Sequence, residues 1–171
     1  MRDGTIELRD DRRIIRFERR LPHPIERVWA AITDPEQLEG WLARATIDLR
    51  PGGEVVLRWL NTDDEGNEAI YHGVVTELDA PRVLELDGDI HGRVRWELQP
   101  DGDGATILRF TNETPAPDDD IAGMVRSGWH FHLDALEDLL HHGTRVDWPH
   151  WPRDRWQQID DHYRAGDRTG A

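Results

Sequence analysis

Between residues 55 and 112 the chain contains a series of short segments in which apolar and polar residues alternate, and no helical pattern separates them. Val94, Trp96 and Leu98 lie on one face of such a segment, which predicts a half-buried strand. Comparable strands are predicted at residues 13–20, 55–59, 69–78, 82–87 and 105–112. Strands that follow one another directly favour antiparallel pairing over βαβ units. We therefore predict an antiparallel sheet of roughly six or seven strands.

Two short helices are predicted after the first of these strands. Apolar residues within 25–32 recur at helical spacing, so one face of that segment is apolar. Asp34 then stands where a helix N-cap is expected, with Pro35 at the first helical position and Gln37 two residues further on. This second helix is predicted to bury Leu38, Trp41 and Leu42.

One long helix is predicted after the last strand. Asp118 and its two acidic neighbours place negative charge where the helix dipole favours it, and Gly143 is a typical helix terminator. The apolar stripe between them consists of Ile121, Val125, Trp129, Leu133, Leu136 and Leu140. The pattern predicts one helix over residues 120–142 that packs against the sheet.

Composition excludes several classes of function. The formal net charge is −14 and the sequence pI is about 4.9, which disfavours binding to nucleic acid or to anionic membranes. The chain has no cysteine, which excludes disulfides and thiol catalysis. The sequence contains no apolar run of the ~20 residues that a membrane span requires. We expect a cytoplasmic protein with one main domain.

Four sequence blocks carry a resemblance to a known family. They are Val28-Trp29 followed by Asp34-Pro35 and Trp41, then Pro51-Gly-Gly, then Tyr71-His-Gly-Val-Val, then Gly128-Trp129 with its spaced leucines. In this order they resemble the Hsp90-ATPase-activator-like family of the START-like (Bet v 1-like, SRPBCC) superfamily, over roughly residues 12–143. The resemblance implies an α+β helix-grip fold, in which a curved antiparallel sheet wraps around a long C-terminal helix and two short helices follow the first strand.

The resemblance also suggests a division of the chain. Residues 1–143 are expected to form the helix-grip domain, and residues 144–171 a tryptophan-rich extension. Trp148, Trp151 and Trp156 are too apolar to remain in water, so we expect them to pack on the domain or at a homodimer interface. Trp156, Ile159 and Tyr163 suit one face of a short helix, with a frayed end from residue 166.

The fold implied by the resemblance often contains a cavity between sheet and helix. Period-two and helical spacing direct six side chains toward that volume: Trp59, Tyr71, Trp96, Phe110, Trp129 and His132. An apolar pocket with a few polar groups is typical of small-ligand sites. The competing interpretation is that these aromatics are ordinary core residues whose polar atoms bond to the backbone.

Other polar groups are less promising as sites. His130, Asp134, Asp138 and His141 repeat along one helical face, and we interpret that face as solvated surface instead of a metal site. The loop that begins at Asn61 resembles half of a calcium loop but lacks its final glutamate. The sequence contains no nucleophile elbow, zinc-protease motif or phosphate loop. We therefore predict no catalytic residues, no metal and no cofactor.

Three functions remain open at this stage. The first is binding of a small apolar or aromatic ligand in the cavity. The second is an enzyme of the polyketide cyclase, aromatase or hydrolase kind that uses the same cavity, with His132 and Tyr71 as its acid–base pair. The third is a partner of an Hsp90-type chaperone, which the family name suggests.

Overall fold

A computed structural model describes residues 2–102 and 104–169. The described residues form an eight-stranded curved antiparallel sheet in the order β1-β2-β8-β7-β6-β5-β4-β3. The strands are β1 Thr5–Arg9, β2 Arg12–Leu21, β3 Ala43–Ile47, β4 Glu54–Trp59, β5 Ile70–Asp79, β6 Val83–Gly88, β7 Arg93–Pro100 and β8 Thr106–Thr114. The helices are α1 Ile25–Thr33, α2 Pro35–Leu38, α3 Asp119–His142 and α4 Arg153–Thr169, with a 3-10 turn at Trp148–His150.

The first strand, β1, is absent from the sequence-based prediction, which gave six or seven strands. It pairs with β2 through a tight turn in which Asp10 and Asp11 have φ of 48° and 63°. Aspartate tolerates this left-handed backbone better than most residues. β1 lies at the sheet edge and is mostly exposed, and its only alternating apolar residues are Ile6 and Leu8. The two short helices consequently follow the second strand, not the first.

The start of α2 and both ends of α3 are as predicted from local sequence, whereas α2 already ends at Leu38, before Trp41 and Leu42. The Asp34 carboxylate accepts a hydrogen bond from the Glu36 backbone N–H at 3.0 Å, and the Asp118 carboxylate accepts one from the Ile121 N–H at 2.8 Å. Gly143 ends α3 with φ of 69°, the conformation in which glycine is favoured. These signals involve residues close in sequence, so no distant contact is needed to establish them.

Helix α3 lies against the sheet with most of its predicted stripe inward. Trp129, Leu133 and Leu136 are buried. Val125 is only half-buried and Ile121 is 41% exposed, so the predicted stripe is wrong in its first turns. The N-terminal half of α3 is thus available to form the wall of an open site.

Helix α4 packs on the opposite side of α3. The Tyr163 hydroxyl lies 2.7 Å from His130 Nδ1 and accepts a hydrogen bond from the Gly4 N–H at 2.7 Å. Ser127 donates to the buried Asp160 carboxylate at 2.9 Å. The interpretation of this face as solvated surface is therefore wrong at His130, which α4 covers and leaves 7% exposed. His141, at the end of the same face, is exposed.

The sequence suggested fraying from residue 166, whereas α4 continues to Thr169. Gly170 and Ala171, like Met1, lie outside the described residues. Within residues 2–102 and 104–169, no helix has the length and hydrophobicity of a transmembrane segment. The same residues contain no group of three or more His, Asp or Glu side chains suited to hold a metal ion.

Candidate ligand-binding cleft

The described part of the chain contains an open cleft of about 700 Å³. It lies between the β4–β5 loop, the N-terminal half of α3 and the segment that leads into α4. The β-sheet side contributes Trp59, Asn61, Thr62, Asp63, Asp64, Ala69 and His91. Helix α3 contributes Ile121, Met124, Val125, Gly128, Trp129 and His132, and the C-terminal segment contributes Trp151, Arg153, Asp154, Trp156 and Gln157.

The space between sheet and helix, where the resemblance led us to expect a ligand cavity, is nearly filled. A void of about 20 Å³ remains there, bordered by Tyr71, Trp96 and neighbouring aliphatic residues. Such a space accommodates about one water molecule. Phe110 lines neither cavity, because its ring packs against Trp96 and Trp129 with centroid distances of 4.5 and 4.4 Å.

The six predicted site residues therefore separate into groups. Trp59, Trp129 and His132 line the cleft, whereas Tyr71 and Trp96 border only the small void. Phe110 is a core residue that lines neither space, so the structure does not place it at the candidate site. Period-two spacing predicts that a side chain points inward, but it does not predict whether open space lies beside that side chain.

Three rings separate the cleft from the inner void: Trp59, His91 and Trp129 line both. The His91 ring lies 5.1 Å from the Trp59 ring and 5.9 Å from the Trp129 ring, and Trp59 and Trp129 are 5.6 Å apart. All three contacts are T-shaped, a favourable geometry for aromatic pairs. The inner end of the cleft is thus an aromatic wall.

His91 was not identified by the sequence analysis. It lies in the turn between β6 and β7, and its position depends on Asn112, a buried residue of β8. The Asn112 amide donates to the His91 carbonyl at 2.6 Å, and its oxygen accepts from Trp129 Nε1 at 3.0 Å. Tyr71 supports the same turn, since its hydroxyl donates to the Gly92 carbonyl at 3.1 Å. In the sequence, the only signal for His91 is that it stands next to Gly92, a glycine typical of a turn.

Both cleft histidines are neutral at physiological pH. Burial lowers the pKa of His91 to about 4, and burial also lowers the pKa of His132 to about 4. His132 Nδ1 lies 2.9 Å from the Trp41 carbonyl, which can only accept, so Nδ1 carries the proton and Nε2 keeps the lone pair. The cleft therefore contains neutral imidazoles that add no positive charge.

Several buried polar atoms around the cleft have no hydrogen-bond partner among the described residues. They are Trp59 Nε1, Asn61 Oδ1, His91 Nδ1 and Trp151 Nε1, and all four residues line the cleft. An unsatisfied buried polar atom costs about 1–3 kcal/mol, so such atoms are uncommon in packed cores. Four such atoms therefore belong to residues that line this one cleft.

The mouth of the cleft is bridged by an ion pair. Arg153, at the start of α4, pairs with Asp64 and donates to the Thr62 carbonyl at 2.9 Å. Its guanidinium also lies 5.3 Å from the centroid of the Trp151 ring. These contacts tie the C-terminal segment to the β4–β5 loop, so the extension forms one side of the site.

Comparisons with known proteins agree with this architecture. A family model described as activator of Hsp90 ATPase homolog 1-like protein matches residues 22–141. The crystal structure of CalU16 from Micromonospora echinospora is 23% identical, with a TM-score of 0.70 over 95% of this chain and 96% of that one. EF2215 from Enterococcus faecalis, a conserved protein of unknown function, is 18% identical, with a TM-score of 0.71 over 97% and 91% of the two chains.

DynU16, described as a putative protein in the dynemicin biosynthetic locus, is 21% identical, with a TM-score of 0.67 over 78% of this chain and 50% of that one. No curated protein matches the chain by sequence. At these identities the likeness establishes the fold alone. The cleft residues from Trp151 to Gln157 lie beyond the range matched by the family model.

Proposed function

The chain belongs to the activator of Hsp90 ATPase homolog 1-like family, and we propose that it binds a small, largely apolar aromatic ligand in the cleft beside α3. The observation that supports this most directly is the 700 Å³ cleft, whose aromatic walls contain polar atoms without a hydrogen-bond partner among the described residues. Sites for small organic molecules typically measure about 300–1,000 Å³ and combine apolar walls with a few polar groups.

The aromatic walls supply the driving force for binding. Trp59 and Trp129 form the inner end, and Trp151 and Trp156 form the side that the extension contributes. Removing apolar ligand surface from water gains roughly 25 cal/mol per Å², and flat rings maximise that contact. The indole N–H groups of Trp59 and Trp151 are donors only, so they favour a ligand with carbonyl, ether or hydroxyl oxygens.

The two cleft histidines keep an enzymatic alternative open, namely a cyclase- or hydrolase-like reaction on the bound molecule. A general base works best when its pKa lies near the operating pH, and burial holds the pKa of His91 and of His132 at about 4. Tyr71 and His132 also bond to different backbone carbonyls, which does not favour them as a coupled acid–base pair. Binding is accordingly the function we propose.

A glycine in the wall allows a direct test. Gly128 lines the cleft, and a Cβ added there would meet no atom within 4 Å. Gly128→Leu should therefore fill the cleft without a clash, and replacing a helical glycine favours the helix. We expect the variant to remain folded and to bind 1-naphthylmethanol, an uncharged aromatic probe, at least about tenfold more weakly than the wild type.

Gly123→Leu is the matched control. Gly123 is also within α3 and has the same free space around an added Cβ, but it does not line the cleft. Binding can be followed through the tryptophan indole signals in ¹H–¹⁵N NMR spectra. If Gly128→Leu binds the probe as tightly as Gly123→Leu and the wild type, the cleft is not the binding site and the proposal fails.

A further inference from the structure

The rim of the cleft is acidic. Asp63, Asp64 and Asp154 line it, against the single guanidinium of Arg153. Arg153 pairs with Asp64, so the positive charge at the rim is already compensated. The carboxylates of Asp63 and Asp154 are left to set the local field, in a chain whose net charge is −14. Clefts lined by one sign of charge concentrate ligands of the opposite sign.

The ionised state of the rim is supported by its hydrogen bonds. The Asp63 carboxylate accepts from the Asn67 side chain at 3.0 Å and from the Asn67 backbone N–H at 2.8 Å. The Asn67 side chain and then its backbone hydrogen bond lower the pKa of Asp63. Neither His91 nor His132 offsets this charge, because burial holds both rings neutral.

The walls behind the rim suit a cation as well. The faces of tryptophan rings carry negative potential and attract ammonium and guanidinium groups. Trp151 already has the Arg153 guanidinium 5.3 Å from its ring centroid. Asn61 Oδ1 adds a buried acceptor without a partner among the described residues, which matches the donor-only character of an ammonium group.

The unpartnered indole at the inner end gives the site a direction. Trp59 is 5% exposed, and its Nε1 has no acceptor in the described part of the chain. It therefore favours an oxygen atom on the buried part of the ligand, while the acceptors at Asn61 and the rim favour a donor on the outer part. The inner end of the cleft offers a hydrogen-bond donor and the outer end offers acceptors. One molecule with an oxygen at one end and a donor group at the other satisfies both.

We propose that the ligand of this cleft is an organic amine, with an aromatic, oxygen-bearing body between the tryptophans and a protonated amino group at the rim beside Asp63 and Asp154. This inference rests on the proposed ligand-binding function and specifies the charge of the ligand. It excludes carboxylate and phosphate ligands, which the acidic rim repels.

Three probes with one aromatic body test the charge: 1-naphthylmethylammonium, 1-naphthylmethanol and 1-naphthoate. We expect the amine to bind about tenfold more tightly than the alcohol, from cation–π and carboxylate attraction together, and the carboxylate to bind most weakly. Raising the salt concentration from 0.05 to 0.5 M should shrink the advantage of the amine, because exposed charges are screened.

Asp154→Asn removes one negative charge from the rim and keeps the size and shape of the side chain. It should weaken amine binding about twofold to fivefold and leave alcohol binding unchanged. Asp79→Asn is the matched control, since Asp79 is an exposed residue at the end of β5 that does not line the cleft. An equal loss in both variants would attribute the effect to net charge and overturn the amine proposal.

The outcomes separate the two proposals. If the alcohol or the carboxylate binds at least as tightly as the amine and Gly128→Leu removes that binding, the amine proposal is wrong and the ligand-binding proposal stands. If none of the three probes shifts the cleft tryptophan signals, the ligand-binding proposal fails and the amine proposal fails with it. The expected order of affinities with the Asp154→Asn effect supports both.

Discussion

Replacing Trp129 with alanine is expected to destabilise the folded chain by about 3–5 kcal/mol. Trp129 is 4% exposed, and its ring centroid lies 4.4 Å from that of Phe110 and 5.6 Å from that of Trp59. The side chain therefore joins α3 to two strands of the sheet. Its removal leaves a cavity that the surrounding rings, held by one another, fill only in part.

The loss of stability in Trp129→Ala has two components, the removed ring and the removed hydrogen bond, and a second variant separates them. Trp129 Nε1 donates to Asn112 Oδ1 at 3.0 Å, and Asn112 is fully buried. Trp129→Phe keeps an aromatic ring but leaves that oxygen without its donor, which should cost about 1–3 kcal/mol. Because Asn112 also holds the His91 carbonyl, the phenylalanine variant should weaken probe binding as well as stability.

Urea unfolding followed by circular dichroism measures both values, and thermal unfolding provides a second reading. For a domain of this size, 1 kcal/mol corresponds to a change in melting temperature of about 2–4 °C, so Trp129→Ala should lower it by about 6–20 °C. Trp29→Ala is the comparison, because Trp29 on α1 is only half-buried. If Trp129→Ala costs no more than Trp29→Ala, the account of α3 as the central packing element is wrong.

Three further predictions follow from the contacts of α3 and the extension. Tyr163→Phe removes the hydroxyl shared by Gly4 and His130 and should lower the unfolding free energy by about 2 kcal/mol in urea titrations; an unchanged midpoint would contradict it. Trp151→Phe keeps an aromatic ring but deletes an N–H that has no partner in the described part of the chain, so stability should hold while calorimetry shows probe binding about fivefold weaker. Because burial lowers the pKa of His132 to about 4, the unfolded chain binds a proton that the folded chain excludes, and stability falls as pH drops below the unfolded value near 6.5. Between pH 7 and 5 the free energy of unfolding of His132→Gln should therefore fall by about 2 kcal/mol less than that of the wild type. Equal losses would show that protonation of His132 is not the cause.

Local patterns were sufficient for the parts of the fold that depend on neighbours in sequence. Asp34, Asp118 and Gly143 act within one turn of their own helices, so their roles are readable without tertiary contacts. Strand alternation likewise predicted the inward phase of Trp59 and Trp96, which are both buried. The resemblance then supplied the arrangement of sheet and helix, which the eight-stranded sheet and the likeness to solved structures confirm.

The location of the open space was decided only by tertiary packing. Phe110 and Trp129 share the inward phase, yet Phe110 is enclosed by other rings while Trp129 faces the cleft. The spacing of apolar residues predicts which way a side chain points. Whether a cavity remains there depends on the summed volumes of side chains from distant segments. The same limit explains His91, whose position depends on a hydrogen bond from Asn112, 21 residues away along the chain.

The burial of polar surface was also decided by long-range contacts. His130 has the helical phase of a solvated residue, but α4 covers it because Tyr163, 33 positions later, binds its ring. Trp151 and Asp154 reach the cleft only because the extension folds back over α3. A single sequence shows which residues are apolar enough to avoid water. Which segment covers them depends on contacts between parts of the chain that are distant in sequence.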